Sequence, residues 1–249
     1  MSEHDLVRAL ERVGRKAPVR FDEVTGSTQA TALRLAAEGA PEWTLVAAGH
    51  QTEGRGRLRR EWRDEPGSAL LFSIVLRPDL PPDRAGLLTL LAGTALAHAC
   101  REAAGQPAVC KWPNDVQVAG RKVAGILAES LVAGGRFEHV VLGVGVNLGA
   151  PPPGLPDAGA VPAGATELLE AFLVRFAQGY RPSDATFGEE VLGEYRELCA
   201  TLGRRVRATT TDGEVVEGVA EEVDDRGGLV VRTDADTRVV RFGAVEHLE

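Results

Sequence analysis

Within HQTEGRGRLRREW (residues 50–62), Arg55, Arg57, Arg59 and Arg60 crowd into one short segment that also carries Gly54 and Gly56. Guanidinium groups grip phosphate or carboxylate bidentately, and glycines let backbone N–H groups approach an anion closely. The chemistry on offer is recognition of such an anion. The segment matches neither GxxxxGK[ST] nor GxGxxG, so it is not a P-loop or a Rossmann turn. The plainer reading is a solvated loop with its arginines in water, and the segment alone does not separate the two.

Three further stretches carry candidate groups. In KWPND (111–115), Pro113 and Asn114 form a turn that either presents Lys111 and Asp115 or merely ends a strand over a packed Trp112. In GRKVAGIL (120–127), Lys122 opens an apolar strand, where a charged head needs a partner, a ligand or a path to water. In GVGVNL (143–148), the glycines allow either close ligand approach or tight packing, and Asn147 can offer donor and acceptor to a base edge. The chain has only three lysines, Lys16, Lys111 and Lys122, and only two asparagines, Asn114 and Asn147. Codon usage in a GC-rich genome would account for such a scarcity but not for the positions. An ammonium is a compact point charge that a guanidinium does not replace. The window 111–147 is therefore a candidate site. The histidines show no metal-ligand spacing, and GxSxG and HExxH are absent.

These groups need a scaffold. The alternation in 18–24 reads as a strand and 25–39 as a helix capped by Ser27 or Thr28 and ended by Gly39. Strands follow at 43–51 and 68–78, then a helix to Gly105 with apolar residues at helical spacing. Residues 108–132 read as short strands around two turns, and 136–148 as another strand. A Pro/Gly/Ala-rich loop (149–166) leads to helices at about 164–179 and 184–200. The order predicts an α+β fold: a mixed β-sheet with helices on one face, spanning residues 1–200. Residues 201–249, with short β runs between Asp/Gly turns, predict a small β-barrel that leans on the first unit.

Composition narrows the function. A net charge of −8 disfavours a protein that coats nucleic acid, so the arginine segment is a positive spot on an acidic body. Cys100, Cys110 and Cys199 have no CxxC spacing and read as reduced, packed thiols. With no signal-peptide core and no membrane-spanning apolar run, the expectation is a soluble cytoplasmic protein with no membrane partner.

In order and spacing, STQ (27–29), GRGRLRREW (54–62), KWPND, GRKVAGIL and GVGVN (143–147) resemble the bacterial biotin protein ligases (biotin–acetyl-CoA-carboxylase ligases) over about residues 20–249. The resemblance implies a class II synthetase-like catalytic domain and an SH3-like C-terminal barrel. It implies formation of biotinyl-5′-AMP from biotin and ATP with Mg²⁺, then transfer of biotin to a lysine of a biotin carboxyl carrier protein. Lys122, Arg55, Arg57, Lys111 and Asp115 would be catalytic, with Asp115 holding Mg²⁺ or orienting the acceptor amine. Ser27, Thr28, Gln29, Gln51, Arg55, Gly56, Arg57 and Lys122 would bind biotin. Arg55, Arg57, Trp62, Lys111, Asn114 and Asn147 would bind ATP or the adenylate. With only about twenty residues before the first strand, the form expected is one without an N-terminal DNA-binding domain and without a DNA partner, as a monomer or weak homodimer. Two departures from the family pattern stand out: Glu53 before the first glycine, and Leu58-Arg59-Arg60 where a glycine-containing turn is usual. Lipoate or octanoate ligases and transferases share the fold and form the nearest alternative. A nucleic-acid-binding protein, using 55–60 as a basic patch, is the alternative from another class.

Overall fold

A computed structural model describes residues 1–241 and 243–248 of the chain. Seven strands form the main sheet: β1 (Val19–Asp22), β2 (Leu45–Ala48), β3 (Ala69–Leu76), β4 (Val109–Lys111), β5 (Asp115–Val118), β6 (Arg121–Ala133) and β7 (Arg136–Asn147). Their order is β1-β2-β3-β7-β6-β5-β4. Only β1 and β2 pair in parallel, so the sheet is mixed as expected.

Strand alternation divides the sheet into two faces. Leu70, Phe72, Ile74 and Leu76 of β3 and Val140, Leu142, Val144 and Val146 of β7 enter the main apolar core. That core is completed by α1 (Glu3–Arg12), α3 (Gly86–Ala104), α4 (Ala165–Gly179) and α5 (Phe187–Leu198). The one-face expectation accounts for these four helices. The other face takes α2 (Thr28–Ala37), whose Ala32 and Ala36 pack on Val46, Val75 and Val141. Small alanines let α2 lie close to the sheet, but it covers only part of that face. The remainder forms the floor of a pocket.

The α1 helix has no counterpart in the sequence reading. Its start carries a capping box: Ser2 N–H donates to Asp5 Oδ2 at 2.8 Å and Asp5 N–H donates to Ser2 Oγ at 3.4 Å. Leu6, Ala9 and Leu10 are its buried residues.

A second, five-stranded antiparallel sheet follows α5: β8 (Arg205–Thr210), β9 (Val215–Val223), β10 (Leu229–Arg232), β11 (Thr237–Val240) and β12 (Gly243–His247), ordered β11-β10-β9-β8-β12. Its interior residues, among them Val206, Ala208, Leu229 and Val231, are continuous with the main core, so it rests on the larger unit as expected. Among the described residues, no helix is long and apolar enough to cross a membrane.

Candidate active site

The open part of the second sheet face forms a cavity of about 470 Å³. Its floor is set by period-two alternation in β7. The even positions of VLGVGVN fill the core, while Gly143 and Gly145 face the cavity. A β-carbon at Gly143 would collide with Oε1 of Gln29. One at Gly145 would come within 2.6 Å of the Trp62 indole, which lies across the strands there.

One end of the cavity is neutral and polar. Thr28 donates through its backbone N–H and its Oγ1 to Gln51 Oε1 at 2.8 and 3.1 Å, and its Oγ1 lies 3.0 Å from Ser73 Oγ. Ser73 donates to Gln29 Oε1 at 3.2 Å, and Gln29 Nε2 donates to the Val141 carbonyl at 3.1 Å. Thr28, Gln29 and Ser73 are buried, so this network is held in fixed geometry. Ser27 sits at the N-cap of α2, yet its Oγ makes no capping bond, contrary to the sequence expectation. It is buried at the cavity with no partner among the described residues. A buried hydroxyl without a partner is costly, and a ligand at this end would satisfy it.

The other end is cationic. The arginine segment folds back on itself: Gly56 N–H donates to the Arg60 carbonyl at 2.7 Å, Arg60 N–H to Arg57, and Trp62 N–H to Gly54. Leu58 and Arg59 both take left-handed conformations, with φ of 53° and 59°. Arg55 is exposed at the rim. Arg57 turns inward and donates to Asn114 Oδ1 at 3.2 Å. Burial pushes its guanidinium pKa down, while the charge of Asp115 opposes that shift. Asn114 also donates to the Ile126 carbonyl at 2.8 Å, which ties the KWPND turn to β6. Lys122 Nζ lies 2.6 Å from Asp115 Oδ1. The Lys122 backbone is pinned by the 155–161 loop: its N–H donates to Asp157 and its carbonyl accepts from Gly159 N–H. Lys111 lines the cavity and has no ion pair among the described residues.

The cavity thus gathers Ser27, Thr28, Gln29, Gln51, Arg55, Gly56, Arg57, Trp62, Lys111, Asn114, Asp115 and Lys122. Asn147 is not among its lining residues. It is 5% exposed, and its Nδ2 donates to the Gly159 carbonyl at 2.9 Å, so in this state it anchors the 149–164 loop.

Three contributions were not read from the sequence. Ser73 is the lone hydroxyl in the apolar run ALLFSIVL, a signal that was available. His50 Nδ1 lies 2.8 Å from Oδ2 of the fully buried Asp64 side chain, closing the base of the arginine segment, and nothing in sequence pairs them. The second sheet supplies Thr209, Thr210 and Glu246 to the cavity wall.

A neutral polar end and a cationic end in one cavity, on the open face of a mixed sheet, define an α+β domain built to hold a polar organic anion. The chain belongs to the biotin/lipoate A/B protein ligase family, whose pattern matches residues 21–147, and the biotin protein ligase C-terminal domain pattern matches residues 201–248. It is 36% identical to the biotin–[acetyl-CoA-carboxylase] ligase of Paracoccus denitrificans, over 87% of this chain and 95% of that one. It is 35% identical to the protein of the same name from Mycobacterium tuberculosis, over 90% of this chain and 86% of that one. The biotin protein ligase of Aquifex aeolicus, solved with biotin and ATP, shares the fold with a TM-score of 0.75 at 23% identity, covering 93% of this chain and 99% of that one.

Proposed function

We propose that the protein is an ATP-dependent biotin protein ligase. A biotin carboxylate oxygen attacks the α-phosphorus of ATP, pyrophosphate leaves, and biotinyl-5′-AMP forms. The neutral amine of an acceptor lysine then attacks the acyl carbon, AMP leaves, and an amide remains with loss of one proton. The observation that carries this reading is one cavity with buried Thr28, Gln29 and Ser73 beside Gln51 at one end and Arg57, Lys111 and Lys122 at the other. A ureido ring needs both donors and acceptors, and the first end offers them. Bringing a carboxylate to a triphosphate needs cations, and the second end offers those.

Lys122, held by Asp115, would bridge the biotin carboxylate and the α-phosphate as a point charge. Arg55 and Arg57 would grip the phosphates and carboxylate from the arginine segment, with Gly56 allowing close backbone approach and the segment excluding water from the anhydride. Lys111 would neutralise the phosphates, and Trp62 and Asn114 would hold the nucleotide; Asn147 would join them only by exchanging its bond to Gly159. No cluster of three metal-ligating side chains exists among the described residues. One carboxylate, Asp115, fits a Mg²⁺ that arrives on the nucleotide, because that ion is commonly held by one or two carboxylates plus substrate phosphates. Such an ion would neutralise phosphate charge; Asp115 would hold it or orient the acceptor amine.

The acceptor would be the carrier domain of a biotin-dependent carboxylase. We assign residues 1–200 to a catalytic unit and 201–249 to a C-terminal unit, acting in the cytoplasm as a monomer or weak homodimer without a DNA partner. Against a lipoate substrate stands the neutral end: an apolar dithiolane would leave Ser27 and its neighbours unsatisfied. Thermal melting with biotin or lipoate, each with and without MgATP, tests the choice. The reading requires the largest shift with biotin plus MgATP.

A further inference from the structure

Segment 199–201 runs beside strand β4. Cys110 and Cys199 form a parallel bridge, and Ala200 N–H donates to the Cys110 carbonyl at 2.8 Å. One residue further, Trp112 N–H donates to Thr201 Oγ1 at 3.0 Å, and that same oxygen lies 3.1 Å from Nε2 of His247 at the end of β12. Trp112 is buried, and its indole N–H donates to the Gly227 carbonyl at 3.0 Å, between β9 and β10. The residue before Trp112 is Lys111, which lines the cavity.

The direction of this chain of bonds follows from satisfaction. Thr201 is fully buried, its oxygen already accepts from Trp112, and its hydroxyl proton has no acceptor other than His247 among the described residues. Thr201 therefore donates to an unprotonated Nε2, and the imidazole is neutral with its proton on Nδ1. Its surroundings agree: burial, then the positive charges of Lys111 and Arg204, pull the His247 pKa down to about 4.

We infer that Thr201 and His247 are positioning residues for nucleotide activation. Through Trp112 they fix the turn that places Lys111, and so make the C-terminal sheet part of the ATP site. This rests on the ligase reading above and traces the link between that sheet and Lys111 to two residues, Thr201 and His247. A neutral acceptor at 247 is required, because a donor-only or positive group there would leave the Thr201 proton unpaired and repel Lys111.

The test compares the full chain with Thr201→Val, Thr201→Ser, His247→Phe and His247→Gln. Biotin-dependent pyrophosphate release gives kcat and the KM for ATP, and direct binding without nucleotide gives the Kd for biotin. Thr201→Val and His247→Phe should each raise the KM for ATP about ten-fold, the scale of one lost buried hydrogen bond, with the biotin Kd within two-fold of wild type. Thr201→Ser and His247→Gln, which keep the bonds, should recover most of that loss. The double variant Thr201→Val/His247→Phe should be no worse than the poorer single one, since both break one relay. Wild-type ATP kinetics in Thr201→Val and His247→Phe would overturn the inference. So would equal losses of biotin and ATP binding that track melting temperature. A wild-type protein that releases no pyrophosphate with biotin, yet binds biotin, would overturn the activation reading beneath it.

Discussion

Arg57 donates to Oδ1 of Asn114 over 3.2 Å, and this bond joins the arginine segment to the KWPND turn across the cavity. Asn114 is in turn fixed to β6 by reciprocal bonds with Ile126, so the inward pose of Arg57 depends on a rigid partner. Asn114→Ala should let the segment open more often. The expected outcome is adenylate that escapes several-fold faster, with biotin attached to unrelated lysines in a protein mixture. Chase of bound labelled adenylate measures it; unchanged release and strict acceptor choice would mean the bond does not hold the segment closed.

Arg59 takes the left-handed conformation that the unusual Leu58-Arg59-Arg60 turn placed in question, and Leu58 takes it as well. A side chain in that region costs about 1–2 kcal/mol relative to glycine. Arg59→Gly should relieve the folded segment and slow adenylate release while leaving the rate of adenylate formation nearly unchanged. Part of the gain is offset by the greater freedom of glycine in the open segment. Equal or faster release would show Arg59 to be a ligand contact or an unstrained residue.

Gly145 is required by Trp62. With only 2.6 Å between a β-carbon at 145 and the indole, Gly145→Ala must displace the ring or the strand. Overpacking of this kind costs about 1–3 kcal/mol. We expect the KM for ATP to rise by at least about ten-fold and the indole emission to shift, with biotin binding less affected. Gly143→Ala should show the reverse preference, because its β-carbon meets Gln29 instead. Identical effects of the two substitutions would contradict the division of the cavity into a neutral and a cationic end.

His247 links acid to stability. Its folded pKa of about 4 lies below the ordinary histidine value because burial, Lys111 and Arg204 disfavour the imidazolium. Between about pH 6.5 and 4 the unfolded chain takes up this proton and the folded chain does not, so stability from this group is complete above that window and declines as pH falls through it. Partial exposure of the ring reduces the size of the effect. The melting temperature of His247→Gln should fall less between pH 7 and 5 than that of the wild type. Parallel pH profiles would remove His247 from the account.

Much of this was legible in sequence because it follows local rules. The apolar runs of β3 and β7, the helical spacing of α3 and the glycine-bearing arginine segment all declare themselves within a few residues. The four short motifs converge on one cavity because strands of one sheet and the connections between them carry all four. What sequence did not show depends on contacts between distant positions. Asp64 reaches His50 through the fold of a loop. Asn147 is engaged by Gly159 rather than turned to the cavity. The tie from His247 to Trp112 crosses from the second sheet to the first. The α1 helix differs from these: its capping box and its buried Leu6, Ala9 and Leu10 are local features, but so short a terminal helix is fixed only by packing on the main core.

The most direct test incubates the full chain with MgATP, biotin and an unmodified biotin carrier domain, and follows the carrier by mass spectrometry, with Lys122→Ala in parallel. The account predicts one biotinyl group on a single carrier lysine with wild type. It predicts at least a hundred-fold slower reaction with Lys122→Ala, which should still bind biotin, because a charge aimed at the developing transition state contributes roughly that much or more. An unmodified carrier with wild type, a carrier modified from lipoate instead, or full activity in Lys122→Ala would contradict it.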